Sequence, residues 1–265
     1  MQILVVTCDR DRWQFQVQCW SIGKYLEPCE LHFIVNETNS NDWLGWFNAT
    51  CRLYLGRHQV SVYTSNDFAN DIIFHLKMFD NKAGWQNQQV YKLIFALKTQ
   101  RPYIILDSKN WFVKPAKLSD MIKPKRHVVQ PPADFDRFYI ELLNKFNFAH
   151  AQCRGIITPF HMDPMIVSKM FEHFGGVDSF INWFLSFRIP SEFMVYDLFA
   201  QYADLDPDPG VVEDYYRNFW YNEGSLDIEK FKLALAEPCV KMVAIHYPLL
   251  KSINPSIIES LLKIN

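Results

Sequence analysis

The 265-residue sequence lacks the short signatures by which many chemistries are recognised. It contains no G-x-G-x-x-G, no P-loop, no G-x-S-x-G and no H-E-x-x-H. Dinucleotide oxidoreductases, P-loop kinases, typical α/β-hydrolases and zincins are therefore set aside. Six cysteines (Cys8, Cys19, Cys29, Cys51, Cys153, Cys239) are scattered without a C-x-x-C pair. That spacing argues against the usual zinc and thioredoxin sites and gives no disulfide framework in a chain this long. Reduced thiols and a cytoplasmic location are expected. An excess of one charge is also missing. A net charge of -2 gives no electrostatic case for nucleic acid or an acidic membrane surface. The one basic run, Lys123 to His127, reads as a solvated turn. No apolar run approaches the length of a membrane span, and the N-terminal residues lack the basic region of a signal peptide.

What is present is an ordinary globular balance, 49% apolar and 21% charged, with an unusual share of aromatic residues. These make up 16%, including eight Trp and 22 Phe. A core of large side chains accounts for most of them. A carbohydrate cleft also favours rings that pack against sugar C–H faces, and composition does not choose between the two.

The first half alternates strands and helices. Gln2 to Thr7 (QILVVT) is a continuous apolar run, as in a strand buried on both faces. A helix is expected from Trp13 to Tyr25, then strands at Leu31 to Val35 and Val60 to Thr64. The segment GWQNQQVYKLIFALKTQRP carries Val90, Leu93, Ile94 and Leu97 at helical spacing and ends at Pro102. Tyr103 to Leu106 is the next strand, running into Asp107-Ser108-Lys109-Asn110. This order predicts βαβ units around a mainly parallel sheet, whose ligands bind beyond the carboxyl ends of the strands. Thr7 to Asp11 and Asp107 to Asn110 would then share one rim.

The second half is more helical. Asp163-Pro164 is an N-cap and N1 pair, with Ile166, Val167, Met170, Phe171 and Phe174 on one face and Gly175-Gly176 as the stop. Ser191 caps another helix with Val195, Leu198, Phe199 and Tyr202 inward. DLDPDPG reads as a turn, and Val240 to Ile245 as a last strand delivering His246. There is no repeat, linker or clear domain boundary.

Each polar candidate has a plain structural reading beside the chemical one. Asp107 either bonds its own backbone turn or offers a hard oxygen ligand at a strand end. Trp85, Gln88 or Gln89, and Lys92 share a helical stripe, which is either solvated or presents amides and a cation to hydroxyls and phosphate oxygens. Glu192 either complements its helix dipole or, with Tyr196 beside it, serves an acceptor hydroxyl as general base. His246 is either a hydrogen-bonded strand-end histidine or a metal ligand partnered by Asp107.

In order along the chain, VVTCDRD, GWQNQQVYKL, YIILDSKNWFVKP, TPFHMDPMIV, SEFMVYDLFAQYA and AIHYP resemble the motif series of nucleotide-sugar glycosyltransferases of the GT-A fold. The similarity is to a small subgroup of microbial and viral members. It covers nearly the whole chain and implies one GT-A domain over residues 1–265. Residues 1–115 would form the nucleotide-binding half and 116–265 the acceptor side. It further implies that Thr7, Cys8, Asp9 and Arg10 receive uracil and ribose, while Gln89 and Lys92 face the donor sugar or diphosphate. Asp107 matches the first Asp of the D-x-D signature, and His246 the C-terminal histidine of the metal and diphosphate site. Thr158, His161, Glu192 and Tyr196 would border the acceptor.

One departure stands out. D-x-D here reads Asp107-Ser108-Lys109, and a charged lysine cannot ligate a divalent ion. Either Mn²⁺ or Mg²⁺ is retained on Asp107, His246, diphosphate oxygens and water, or Lys109 stands in for it as a point charge. The retained ion is the expectation, because His246 remains. Asp107, Lys109 and Glu192 would then carry catalysis of hexosyl transfer from a UDP-sugar, UDP-glucose-like, to a glycan or small-molecule acceptor. The rival reading is a degenerate GT-A domain that binds sugar nucleotide or glycan without turnover. A nucleotidyltransferase lacks its Gly-rich basic loop here.

Overall fold

The computed structural model describes residues 1–36, 41–64, 83–121, 136–149, 151, 158–205, 215–219, 224–251 and 253–263. The Lys123–His127 run, Cys153 and most of the DLDPDPG turn lie outside the described residues. In chain order the strands are β1 (Gln2–Thr7), β2 (Glu30–Val35), β3 (Gln59–Thr64), β4 (Tyr103–Leu106), β5 (Asn110–Phe112), β6 (Phe160–Met162), β7 (Tyr216–Phe219) and β8 (Met242–Ile245). The helices used below are α1 (Arg12–Tyr25), α2 (Asn41–Tyr54), α3 (Ala83–Ile94), α4 (Leu118–Met121), α5 (Asp136–Lys145), α6 (Pro164–His173), α7 (Val177–Leu185), α8 (Glu192–Tyr202), α9 (Ile228–Ala236), α10 (Tyr247–Leu250) and α11 (Pro255–Leu262).

The main sheet has the order β3-β2-β1-β4-β6, parallel except for β6. β1 is unbroken apolar sequence because it is central and covered on both faces. Its Leu4 and Val6 join one core with Val90, Leu93 and Ile94 of α3 and the inward faces of α6 to α8. Its Ile3 and Val5 join the opposite core with Phe15, Cys19 and Ile22 of α1 and Trp43, Phe47 and Cys51 of α2. β4 divides in the same way, Tyr103 and Ile105 to one side and Ile104 and Leu106 to the other. This is the period-2 alternation of a strand sandwiched between two helical layers. The expected aromatic richness serves the core: Phe15 stacks on Phe47 at 4.5 Å, and Phe160 on Phe193 at 4.4 Å.

The expected mainly parallel α/β sheet and more helical second half are thus present. Three details differ. α3 tightens into a 3₁₀ turn at Phe95–Leu97, which rotates Leu97 out of the apolar face to 51% exposure. Tyr202 stands at the last turn of α8, partly exposed, with its ring stacked on Phe146. The last strand begins at Met242 rather than Val240 and belongs to a second sheet of order β5-β8-β7. The Asp163 and Ser191 caps form as read, accepting from the amides of Met165 and Met194.

No helix among the described residues is long and apolar enough to cross a membrane. None of the described cysteines forms a disulfide.

α1 and α2 approach closely at Gly23. A Cβ there would lie 2.0 Å from the Tyr54 carbonyl oxygen. Alanine has the better helix propensity by about 1 kcal/mol. A fixed backbone oxygen cannot yield, however, and overpacking costs about 1–3 kcal/mol or more. Gly23→Ala is therefore expected to be destabilising. Urea unfolding checks the sign, and a stabilised variant would contradict the close approach.

Candidate active site

The strand order runs outward from β1 to β3 on one side and resumes with β4 on the other, so the carboxyl ends of β1 and β4 flank the switch point. Thr7 closes β1 and Asp107 follows β4. Their loops meet where the Ser108 hydroxyl donates to Thr7 Oγ1 at 3.0 Å. The shared rim expected from the strand alternation is present.

Asp107-Ser108-Lys109 is the point at which the chain leaves the main sheet for the second one. The turn is closed by the Asn110 amide donating to the Asp107 carbonyl (2.9 Å), and by Asn110 Oδ1 accepting from the Asp107 amide (2.7 Å). From α1, Gln18 Nε2 donates to the carbonyls of Asp107 (2.7 Å) and Asn110 (3.2 Å). Trp111 Nε1 donates to the carbonyls of Ser108 and Gln14. Asp107 therefore does not turn the chain with its own carboxylate, because Asn110 and Gln18 do that work. Its side chain is free of local backbone duty.

That carboxylate joins a charged cluster instead. Lys92 Nζ lies 2.9 Å from Asp107 Oδ1 and 2.9 Å from Glu192 Oε1, bridging the two acids. Lys109 Nζ lies 2.9 Å from Asp107 Oδ2, to which Thr158 Oγ1 also donates at 3.0 Å. The Gln89 amide abuts Glu192, and the orientation satisfying both groups has its nitrogen donating to the carboxylate. Lys92 Nζ also sits 4.9 Å over the Phe193 ring. The stripe read on α3 thus runs from Trp85 at the surface to Gln89 and Lys92, which are buried.

Burial opposes charge throughout the cluster, and pairing decides which groups keep it. For Asp107 the two lysines outweigh burial and hold the carboxyl well below its usual range. For Lys92 burial is outweighed by Asp107 and Glu192, so the ammonium stays charged above its ordinary pKa. Glu192 is pushed up by burial, with Lys92 only partly offsetting it. The environments drive the two carboxyls apart: Asp107 is the fixed anion and Glu192 the one that takes a proton first.

Several residues stand away from the roles read in the sequence. Glu192 is 1% exposed and paired with Lys92 and Gln89 on the inner side of the cluster. Tyr196 is buried too, its hydroxyl accepting from the Asp163 amide at 2.9 Å, which anchors α8 to the start of α6. Thr158, expected at the acceptor, holds Asp107, while His161 is half-buried opposite Ile104 on β6. Cys8 is buried with Sγ 3.7 Å from Asp11 Oδ2. Asp9 pairs with Arg12, which also reaches Asp42 at 3.1 Å and lies over the Trp43 and Trp46 rings. Arg10 is exposed, 3.9 Å from Asp11.

Gln18 is not among the residues singled out in the sequence, and Asn110 and Asp11 enter there only as the ends of the two rim segments. Gln18 sits on the inward face of α1 beside Cys19 and Ile22, and a polar residue at a core position was the available signal. Burial raises the pKa of Asp11, Arg10 opposes it, and Asp107 adds to it, which puts Asp11 near the same cluster.

His246 follows β8, whose antiparallel register with β5 carries it alongside the 107–109 turn. Burial and the Lys109 charge bring its pKa down to about 4 against an opposing effect of Asp107, so the ring is neutral at neutral pH. The divalent ion expected on Asp107 and His246 does not fit these residues. Both Asp107 oxygens are engaged by ammoniums.

No family model matches the sequence, and no curated protein matches it. Its fold does have solved counterparts. Mouse xyloside xylosyltransferase 1, in its apo form, superposes with a TM-score of 0.53 over 92% of this chain and 97% of its own, at 9% identity. The galactosyltransferase LgtC, solved with donor and acceptor sugar analogues, superposes with a TM-score of 0.54 over 99% and 95%, at 10% identity. The chain has the GT-A fold of these two enzymes.

Lys92→Met would leave Glu192 buried without its cation, and such losses cost about 3–5 kcal/mol. The signs set the pH window. Lowered, the Asp107 pKa contributes stability above the ordinary Asp value of about 3.9, lost as pH falls below it. Raised, the Lys92 pKa contributes stability below about 10.4 that is lost at higher pH. The deficit of the variant is expected to be full at pH 7 and to shrink toward pH 4 as Glu192, whose pKa burial already raises and which then lacks Lys92, takes up a proton. Urea unfolding at both pH values checks this, and an unchanged deficit would contradict the ionised cluster.

Proposed function

We propose that this chain is a glycosyltransferase moving a hexose from a UDP-sugar, UDP-glucose-like, to a hydroxyl of a glycan or small-molecule acceptor. The observation that carries the reading is Asp107. It is an ionised carboxylate at the switch-point rim of a GT-A frame, held between two ammoniums, with no part in shaping its own turn. Such a group is worth its burial where it receives ligand hydroxyls or orients cations toward a ligand phosphate.

In this reading residues 1–115 supply the donor side, with Thr7, Cys8, Asp9 and Arg10 toward uracil and ribose, and residues 116–265 border the acceptor. Asp107, Ser108 and Lys109 touch the donor. Lys92, Gln89, Glu192 and Thr158 act through Asp107 and are positioning residues. In the transfer, the bond from the sugar C1 to the β-phosphate oxygen breaks and its electron pair leaves on that oxygen. The acceptor oxygen bonds to C1, and its proton passes to an oxygen of the departing diphosphate or to water. Charge stabilisation of the leaving diphosphate is the main contribution asked of the protein.

Binding without turnover is the second reading, favoured by the Lys109 substitution in the D-x-D pattern. Assay of UDP-sugar hydrolysis separates the two, because a competent transferase leaks donor to water. Asp107→Asn keeps the shape of the side chain and is expected to lower turnover by about 100-fold or more. Released UDP measures the loss and circular dichroism checks the fold. Unchanged turnover removes Asp107 from the mechanism, and UDP binding with no hydrolysis supports the binding-only reading.

A further inference from the structure

We infer that the Lys109 ammonium, rather than a divalent cation, neutralises the donor diphosphate at this rim. The inference rests on the glycosyltransferase reading and concerns the same site.

The first support is the state of Asp107. A carboxylate that anchors a divalent ion offers its oxygens to that ion and leaves cations elsewhere. Here Oδ1 faces Lys92 and Oδ2 faces Lys109, both at 2.9 Å, and Oδ2 also accepts from Thr158. A doubly charged ion at Oδ1 would meet a fixed ammonium at close range, and one at Oδ2 would have to displace Lys109 and Thr158. Lys92 cannot move aside to admit it, because it is buried and pinned by Glu192 on its other side.

The second support is the balance of charge. Two ammoniums stand against two carboxylates, so the cluster has no surplus negative charge to attract a dication. A diphosphate sees the complementary picture. The Lys109 ammonium carries three N–H donors, so it can reach a phosphate oxygen while keeping its bond to Asp107 Oδ2, and no buried anion is stranded.

The third support is the contrast between the two lysines. Lys92 is enclosed on every side, whereas the Lys109 side chain is 20% exposed beside the 25% exposed Asp107. Lys109 hangs from a turn whose shape depends on Gln18 and Asn110, and among the described residues its ammonium pairs with Asp107. It is a point charge on a four-carbon stem at the open edge of the cluster, suited to follow a phosphate group.

Isothermal titration of the full chain with UDP, in EDTA and again with Mn²⁺, tests the assignment. Equal affinity in the two conditions is expected. Lys109→Met should weaken UDP binding on the order of tenfold or more in EDTA, the scale of a lost charge-assisted bond. Lys109→Asp restores the D-x-D pattern and should bind UDP in Mn²⁺ but not in EDTA. Thermal unfolding of each variant confirms its fold. Wild-type binding that requires Mn²⁺ overturns the lysine assignment and leaves the transferase reading in place. Undiminished binding by Lys109→Met in EDTA also overturns it. Absence of UDP binding in both conditions overturns the assignment and the transferase reading together.

Discussion

The site depends on one ammonium. Lys92 lies in the interior between two carboxylates, Asp107 on the rim and Glu192 on α8, and is what allows both acids to be there. An unpaired buried charge is among the costliest features a fold can hold, so none of the three groups stands without the others. The bridge also sets geometry. It ties α3 to the end of β4 and to the first turn of α8, fixing the outer carboxylate from behind. A positioned anion with a satisfied inner side presents only its outer edge to whatever arrives.

In the sequence Glu192 reads as a candidate base, and the structure pairs it with Lys92 inside the cluster. A carboxylate just after a Ser cap reads equally well as a dipole partner, an acceptor base or a buried counter-ion. Only the packing of α8 against α3 decides. Those two helices are a hundred residues apart in the chain, and no local pattern carries that contact. The same limit hid Gln18, whose bonds to the carbonyls of Asp107 and Asn110 join α1 to a loop about ninety residues later.

What was legible followed from periodicity and punctuation. The unbroken apolar runs of β1 and β4 marked them as central strands, and alternation with helices gave a parallel sheet and hence the rim shared by Thr7 and Asp107. The caps at Asp163 and Ser191 were readable because capping is local chemistry. The fate of the Trp85–Gln89–Lys92 stripe was not, because a solvated lysine and a buried bridging one have the same spacing. The end of α3 was misjudged for a related reason: a 3₁₀ turn keeps the sequence apolar while changing which face Leu97 occupies.

The turn that carries Asp107 and Lys109 separates scaffold from chemistry. Its hydrogen bonds come from Gln18, Asn110, Trp111 and the main chain, and neither ionic side chain contributes to its shape. The backbone at position 109 is therefore shaped without reference to the charge it displays, although Lys109 and Asp107 hold each other as an ion pair. Substitution there would change the electrostatic character of the rim without removing any of the hydrogen bonds that shape the turn.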